Sequence, residues 1–119
     1  MQIEILQVNG NNIALVISNK IVINNIQDAL DLLADSSYQG AQKLIIKEEN
    51  ITADFFDLKT KIAGDILQKF SNYKVQLAIV GDFSKYNSKS LKDFIYESNK
   101  HKQINFVNSI EDAKEKLSS

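Results

Sequence analysis

The chain has 119 residues, 44% hydrophobic and 24% charged, and its 14 basic against 15 acidic residues leave a formal charge of −1. A chain of this length is expected to form one domain, spanning residues 1–119, that buries roughly 65% of its unfolded surface. The near-neutral balance supplies no field that would draw it to nucleic acid or to an anionic membrane. Every basic side chain is a lysine and cysteine is absent. The first fact counts against bidentate arginine grip on bases, phosphates or carboxylates; the second removes thiol catalysis, disulfides and thiolate metal sites. The longest apolar run, Ile13 to Ile17, is too short to span a bilayer, and "MQIEILQ" has neither the basic nor the apolar part of an export signal. A cytoplasmic protein with no membrane span is therefore expected.

In chain order, "QIEILQVNGNNIALVIS" sets two β-rich runs, Ile3 to Val8 and Ile13 to Ser18, around Asn9-Gly10-Asn11-Asn12, the residue pattern of a tight hairpin. The second run is apolar on both faces, as in a strand covered on both sides. A first helix follows, with Asn25 as N-cap, Asp28 in its first turn and Ile26, Ala29, Leu30 and Leu33 at helical spacing, ending before "SSYQG". "KLIIKEEN" reads as a short buried strand. Thr52 with Ala53 and Asp54 reads as the start of a second helix reaching about Asn72. "VQLAIVGD" is the strongest buried strand, closed by Gly81-Asp82, and "SLKDFIYESNK" is a third helix with Ser90 and Asp93 in capping-box positions. A last strand, "INFVN", leads into a helix that repeats that arrangement with Ser109 and Asp112. The order ββαβαβαβα predicts an α/β domain with a mostly parallel, mixed sheet of about five strands opened by the hairpin.

The residues from Asp28 to Lys100, with "FFDLKT", "AGDILQKF" and "AIVGDFS" as their most specific strings, resemble a bacterial family known as domain of unknown function 4180, over nearly the whole chain. That family has no established activity, so the resemblance implies a fold and no chemistry. More loosely, the opening hairpin, "VQLAIVGD" and "INFVNSIEDAKEKL" are similar to SpoIIAA-like proteins, relatives of the STAS domain of anti-sigma-factor antagonists. That likeness implies a SpoIIAA-like or STAS-like fold and a non-enzymatic regulatory role. In STAS antagonists, an aspartate and a phosphorylatable serine or threonine near a glycine open the helix after the third strand. The matching place here holds Asp57, Thr60 and Gly64, without the serine motif.

One residue breaks the pattern of the second helix. If that helix is continuous from Thr52, Lys59 falls in the middle of the arc made by Phe55, Phe56, Ile62, Ala63, Ile66, Leu67 and Phe70. An unpaired ammonium there costs several kcal/mol or loses its proton. A break near Asp57 or Leu58 would instead put Lys59 at the rim of the sheet, its stem covering apolar surface and its head in water. The functional alternative places Lys59 beside the carboxyl ends of the parallel strands, where ligands sit in open α/β sheets, paired with Glu48 or Asp82. Glu48, Gly81 and Asp82 leave the strands there, and Asn108 follows the last one.

Elsewhere the residues favour structural roles. Asp57 with Lys61, and Asp65 with Lys69, have the spacing of ion pairs on a solvated helix face, and Gly64 is expected to serve close packing. Adjacent Glu48 and Glu49 point apart, and His101 is a lone, exposed histidine, so no zinc site and no Ser-His-Asp set is expected. No cofactor is called for. The expected function is that of an interaction module docking a protein partner on a rim that includes Asp57, Lys59 and Thr60. The alternative is a carrier of a small apolar or lipid-like ligand held between the second and third helices under Phe55, Phe56 and Phe94. A homodimer through the edge of the hairpin fits either.

Overall fold

A computed structural model describes residues Met1–Ser118. Strands β1 (Gln2–Val8) and β2 (Asn11–Ile17) form the expected hairpin. Asn9 and Gly10 adopt φ of 52° and 80°, the left-handed backbone that a two-residue turn between twisted strands requires. Pairing runs without a bulge from Gln2 opposite Ile17 to Val8 opposite Asn11. Strands β3 (Lys43–Lys47), β4 (Gln76–Val80) and β5 (Ile104–Val107) add in parallel, completing a five-stranded mixed sheet in the order β1-β2-β3-β4-β5.

The helices are α1 (Ile26–Tyr38), α2 (Ile62–Asn72), α3 (Lys89–His101) and α4 (Ile110–Ser118). Because the parallel strands are laid down in sequence order, crossovers of one hand place α1, α2 and α3 on the same face. There Ala29, Leu32, Leu33, Ala63, Ile66, Leu67, Phe70 and Leu91 meet Ala14, Val16, Leu44, Ile46, Leu77, Ile79 and Phe106. The intervening strand residues Ile13, Ile45, Ala78 and Val107 point to the other face, where Ala113 and Leu117 of α4 cover them. Both faces of β3 and β4 are thus apolar, which accounts for their unbroken hydrophobic sequences. Lys43, at the start of β3, donates a short hydrogen bond to the carbonyl of Leu117 and ties α4 to the sheet. No helix among the described residues is long and apolar enough to cross a membrane.

Caps set the helix ends, two of them differently from expectation. The Asn25 side chain accepts from the Asp28 N–H at 2.9 Å, and Ser109 accepts from the Asp112 N–H at 3.1 Å, as expected. Helix α1, however, runs on through Ser36-Ser37-Tyr38, because Ser36 is on its buried face. It closes one turn later at Gly40, φ 87°, whose N–H reaches the Ser37 carbonyl at 2.9 Å. The cap of α3 is Ser88, which accepts from the Leu91 N–H at 3.2 Å, and not Ser90. Asp93 pairs with Lys89 at 2.8 Å in place of the expected capping box.

The continuous second helix does not form. From Ala53 to Thr60 the chain makes two 3₁₀ turns, Ala53–Phe56 and Leu58–Thr60, and α2 begins only at Ile62. The Asp57 side chain accepts from the Lys59 N–H at 3.2 Å. The Thr60 hydroxyl contacts the carbonyls of Asp54 at 2.7 Å and Asp57 at 2.8 Å, and accepts from the Ile62 N–H at 3.3 Å. These local bonds occupy groups that a helix would otherwise use. Lys61 then takes φ 64°, turning the chain into α2.

Candidate functional site

The carboxyl ends of β3, β4 and β5 all open onto one end of the molecule, where ligands and partners meet parallel sheets. Two differently built surfaces lie there.

The first is closed. β3 leaves through a 3₁₀ turn, Glu48–Asn50, whose buried Asn50 holds down the connection after β2. Its side-chain N–H groups donate to the carbonyls of Ser18 at 2.9 Å and Lys20 at 2.8 Å, and its own carbonyl receives the N–H of Val22 at 2.7 Å. Glu48 has a side chain only 11% exposed and accepts a short hydrogen bond from the Tyr86 hydroxyl together with an ion pair from Lys85 at 2.8 Å. Gly81 is what lets the glutamate lie there, since a Cβ at that position would stand 2.6 Å from Glu48 Oε1 and 2.7 Å from Glu48 Cβ. The Tyr86 ring stacks on Phe56 at 5.3 Å with the planes 18° apart, and Phe83 bridges from Phe56 to an edge contact with Phe106 at 5.3 Å. Burial, and then the Glu48 carboxylate, hold the Tyr86 phenol in its neutral form well above the ordinary tyrosine range.

Beside this cluster, the exit of β4 is shaped by Asp82, which accepts from the Ser84 N–H at 3.1 Å and the Ser84 hydroxyl at 2.5 Å. Those bonds, helped by Lys85, hold its carboxyl below the usual carboxylate range. Here β4 departs to α3 on one face and β5 to α4 on the other. The divergence leaves a crevice of about 520 Å³ lined by Gly81 to Ser84, Ile95, Phe106 and Asn108.

The second surface is the rim made by the turns before α2. Asp57, Lys59, Thr60 and Lys61 are all exposed. Lys59 therefore stands in water at the edge of the sheet. It pairs with neither Glu48 nor Asp82, because Lys85 has taken the first and Ser84 caps the second. The anticipated pairs Asp57–Lys61 and Asp65–Lys69 are also absent among the described residues, the first because both members precede the helix.

Gly64 belongs to neither surface. A Cβ there would meet nothing within 4 Å, so it serves no close packing. It lines a shallow cleft of about 280 Å³ between α2 and α3, with Leu67, Phe94 and Ile104. Of the three rings expected to cover a ligand there, Phe94 lines the cleft, whereas Phe55 and Phe56 are buried in the core, at 1% and 6% exposure. A larger, uncharged groove of about 480 Å³ lies instead between α1 and α2, flanked by Tyr38 and Tyr73 and lined by Leu30, Leu33 and Val75.

The fold is a single α/β domain with a mixed five-stranded sheet, three helices on one face and one on the other. Residues 8–117 match the model of the family described as domain of unknown function 4180, and the chain belongs to that family. No curated relative and no solved structure matches it.

Of the residues singled out from sequence, Glu48, Gly81 and Asp82 come together at the ends of β3 and β4, Asp57, Lys59 and Thr60 form the rim, and Gly64 stands apart. Lys85 and Tyr86, which complete the Glu48 cluster, were missed. Their one local signal was the Asp82-Phe83-Ser84 turn, which reverses the chain toward β3.

Proposed function

We propose that the protein is a non-enzymatic regulatory or interaction module, SpoIIAA-like or STAS-like in type, that docks a protein partner on the rim formed by Asp57, Lys59 and Thr60. One observation carries this reading: the rim charges are exposed and form no ion pair among the described residues, yet they stand on a backbone locked by the Thr60 hydroxyl. Such a surface loses little entropy on binding and offers charges for electrostatic recognition. The strand-end groups that resemble catalytic residues are committed to one another, with Glu48 held by both Tyr86 and Lys85. The strand order and the Gly81-Asp82 exit are in keeping with the STAS-like likeness, and the absence of cysteine suits a reducing, cytoplasmic setting. The double charge reversal Asp57→Lys/Lys59→Glu is expected to abolish capture of the partner that the native chain retains, with the melting temperature lowered by no more than the loss of the Asp57 cap on the Lys59 N–H. Equal capture by both forms would refute the docking role.

A second reading, a carrier of a small apolar ligand, is favoured by the uncharged groove between α1 and α2. Native mass spectra of the freshly purified chain test it. A non-covalent adduct lost on denaturation supports a carrier, and a bare chain excludes a retained ligand.

A further inference from the structure

The two edges of the sheet are finished differently. At β5, the side chain of Asn99 on α3 accepts from the Phe106 N–H at 2.7 Å and donates to the Phe106 carbonyl at 3.2 Å. One amide thus occupies both outward backbone groups in the middle of that edge and blocks further strand addition. At β1 no described residue supplies such cover. The strand carries no proline, no lysine and no bulge, and Glu4 is its one charge. Apart from its ladder with β2, its backbone receives only the Asn11 side-chain amide at the Val8 carbonyl, 3.3 Å away, among the described residues.

The turn decides which groups are left over. In a two-residue hairpin the flanking residues form a hydrogen-bonded pair, here Val8 and Asn11. Alternation then directs the N–H and C=O of Gln2, Glu4, Leu6 and Val8 toward β2, and those of Ile3, Ile5 and Gln7 away from the sheet. Unpaired strand groups of this kind are a template for another strand.

We infer that β1 pairs with the β1 of a second copy of this chain, antiparallel across a two-fold axis at Ile5, joining the two sheets into one. The register follows from valence and charge. With Ile5 opposite Ile5 of the partner, Ile3 faces Gln7, and every outward N–H and C=O of Ile3, Ile5 and Gln7 in both copies is satisfied. Centring on Leu6 would place Ile3 opposite Asn9, whose φ of 52° takes it out of the strand, so the Ile3 groups stay unpaired. Centring on Glu4 would set two carboxylates directly opposite, which is destabilising. The Ile5 register also continues both layers: Ile5 meets Ile5 on the three-helix face, and Glu4 meets Leu6 on the α4 face, with no like charges opposed. An interface that repeats one patch on both subunits is what a two-fold dimer requires.

Sedimentation equilibrium of the full chain over a dilution series, with backbone hydrogen exchange on the same samples, tests this. The expected result is a two-protomer mass falling to one protomer on dilution. Protection of the Ile3, Ile5 and Gln7 amides should be lost in step, down to the rates of exposed amides. Gln7→Pro, which removes one outward N–H and the exposed side-chain bond to Asn12 but leaves the backbone bonds to β2 intact, is expected to hold the chain at one protomer. If that variant does not fold, the exchange pattern of the native chain decides alone. A chain that is monomeric at every concentration, including one whose edge receives a strand of some other protein, overturns the inference. So does a dimer in which those amides exchange freely.

Discussion

Glu48 and Asp57 both lie in the connection that follows β3, at the same end of the sheet, and the chain treats them in opposite ways. Glu48 sits under Tyr86 and Lys85 with its side chain 11% exposed. Asp57 caps a turn by accepting from the Lys59 N–H at 3.2 Å and leaves its charge, with that of Lys59, facing water. A carboxylate at a strand end that also touches a tyrosine and a lysine invites a catalytic reading. Its near-complete enclosure instead makes it a clamp that joins the exits of β3 and β4. The rim has ordinary residues in an unremarkable sequence, yet its locked backbone and uncommitted charges make it the better surface for a partner. At this end of the sheet, enclosure separates the structural residues from the available ones better than residue type does.

The largest effect expected at the clamp is from Glu48→Ala, which leaves the half-buried Tyr86 hydroxyl without its acceptor and Lys85 without its partner. Unsatisfied buried groups cost about 1–3 kcal/mol, and a urea titration should find that loss; an unchanged midpoint would mean that the cluster is no clamp. The pH dependence sharpens the point. Tyr86 is held above its ordinary value of 10.0 by burial and by Glu48, so its contribution is whole below that pH. As pH rises past it the unfolded tyrosine ionises while the folded one does not, and stability is lost. Urea midpoints from neutral to strongly alkaline pH should therefore fall less steeply in Tyr86→Phe than in the native chain.

At the rim, Thr60→Val removes the hydroxyl that locks the turn and should cost about 0.5–1.5 kcal/mol, with faster exchange at the Ile62 amide as its local signature. Outside both surfaces, Gly64→Ala should stabilise the chain by up to about 1 kcal/mol, since alanine is the better helix former and its methyl would meet nothing within 4 Å. A destabilised Gly64→Ala would mean that the cleft between α2 and α3 is narrower than described.

Much of the fold was legible because it rests on local chemistry. Asn9-Gly10 specifies the hairpin, Asn25 and Ser109 cap their helices, and the unbroken apolar runs of β3 and β4 announce strands covered on both sides. The second helix was misjudged because its apolar spacing continues through Phe55 and Phe56, which are buried from 3₁₀ turns instead. Lys59 was the informative exception, a charge that the helical pattern could not accommodate and the turns can. The cap of α3 was misplaced by two residues because Ser88 and Ser90 are both competent and only packing at Leu91 chooses between them. The Glu48–Tyr86 contact joins residues far apart in the chain, and the Asn99 clamp depends on where α3 lies against β5. The second has no local sequence signal, and the first has only the Asp82-Phe83-Ser84 turn.

A photoreactive amino acid placed at position 59, and separately at position 38 in the groove between α1 and α2, tests the central claim most directly. Both sites are exposed, so each variant should fold. The account predicts a crosslink to one protein partner from position 59 and none to that partner from position 38. A partner crosslinked from position 38 alone, or none from position 59 under conditions where the native chain captures one, would contradict it.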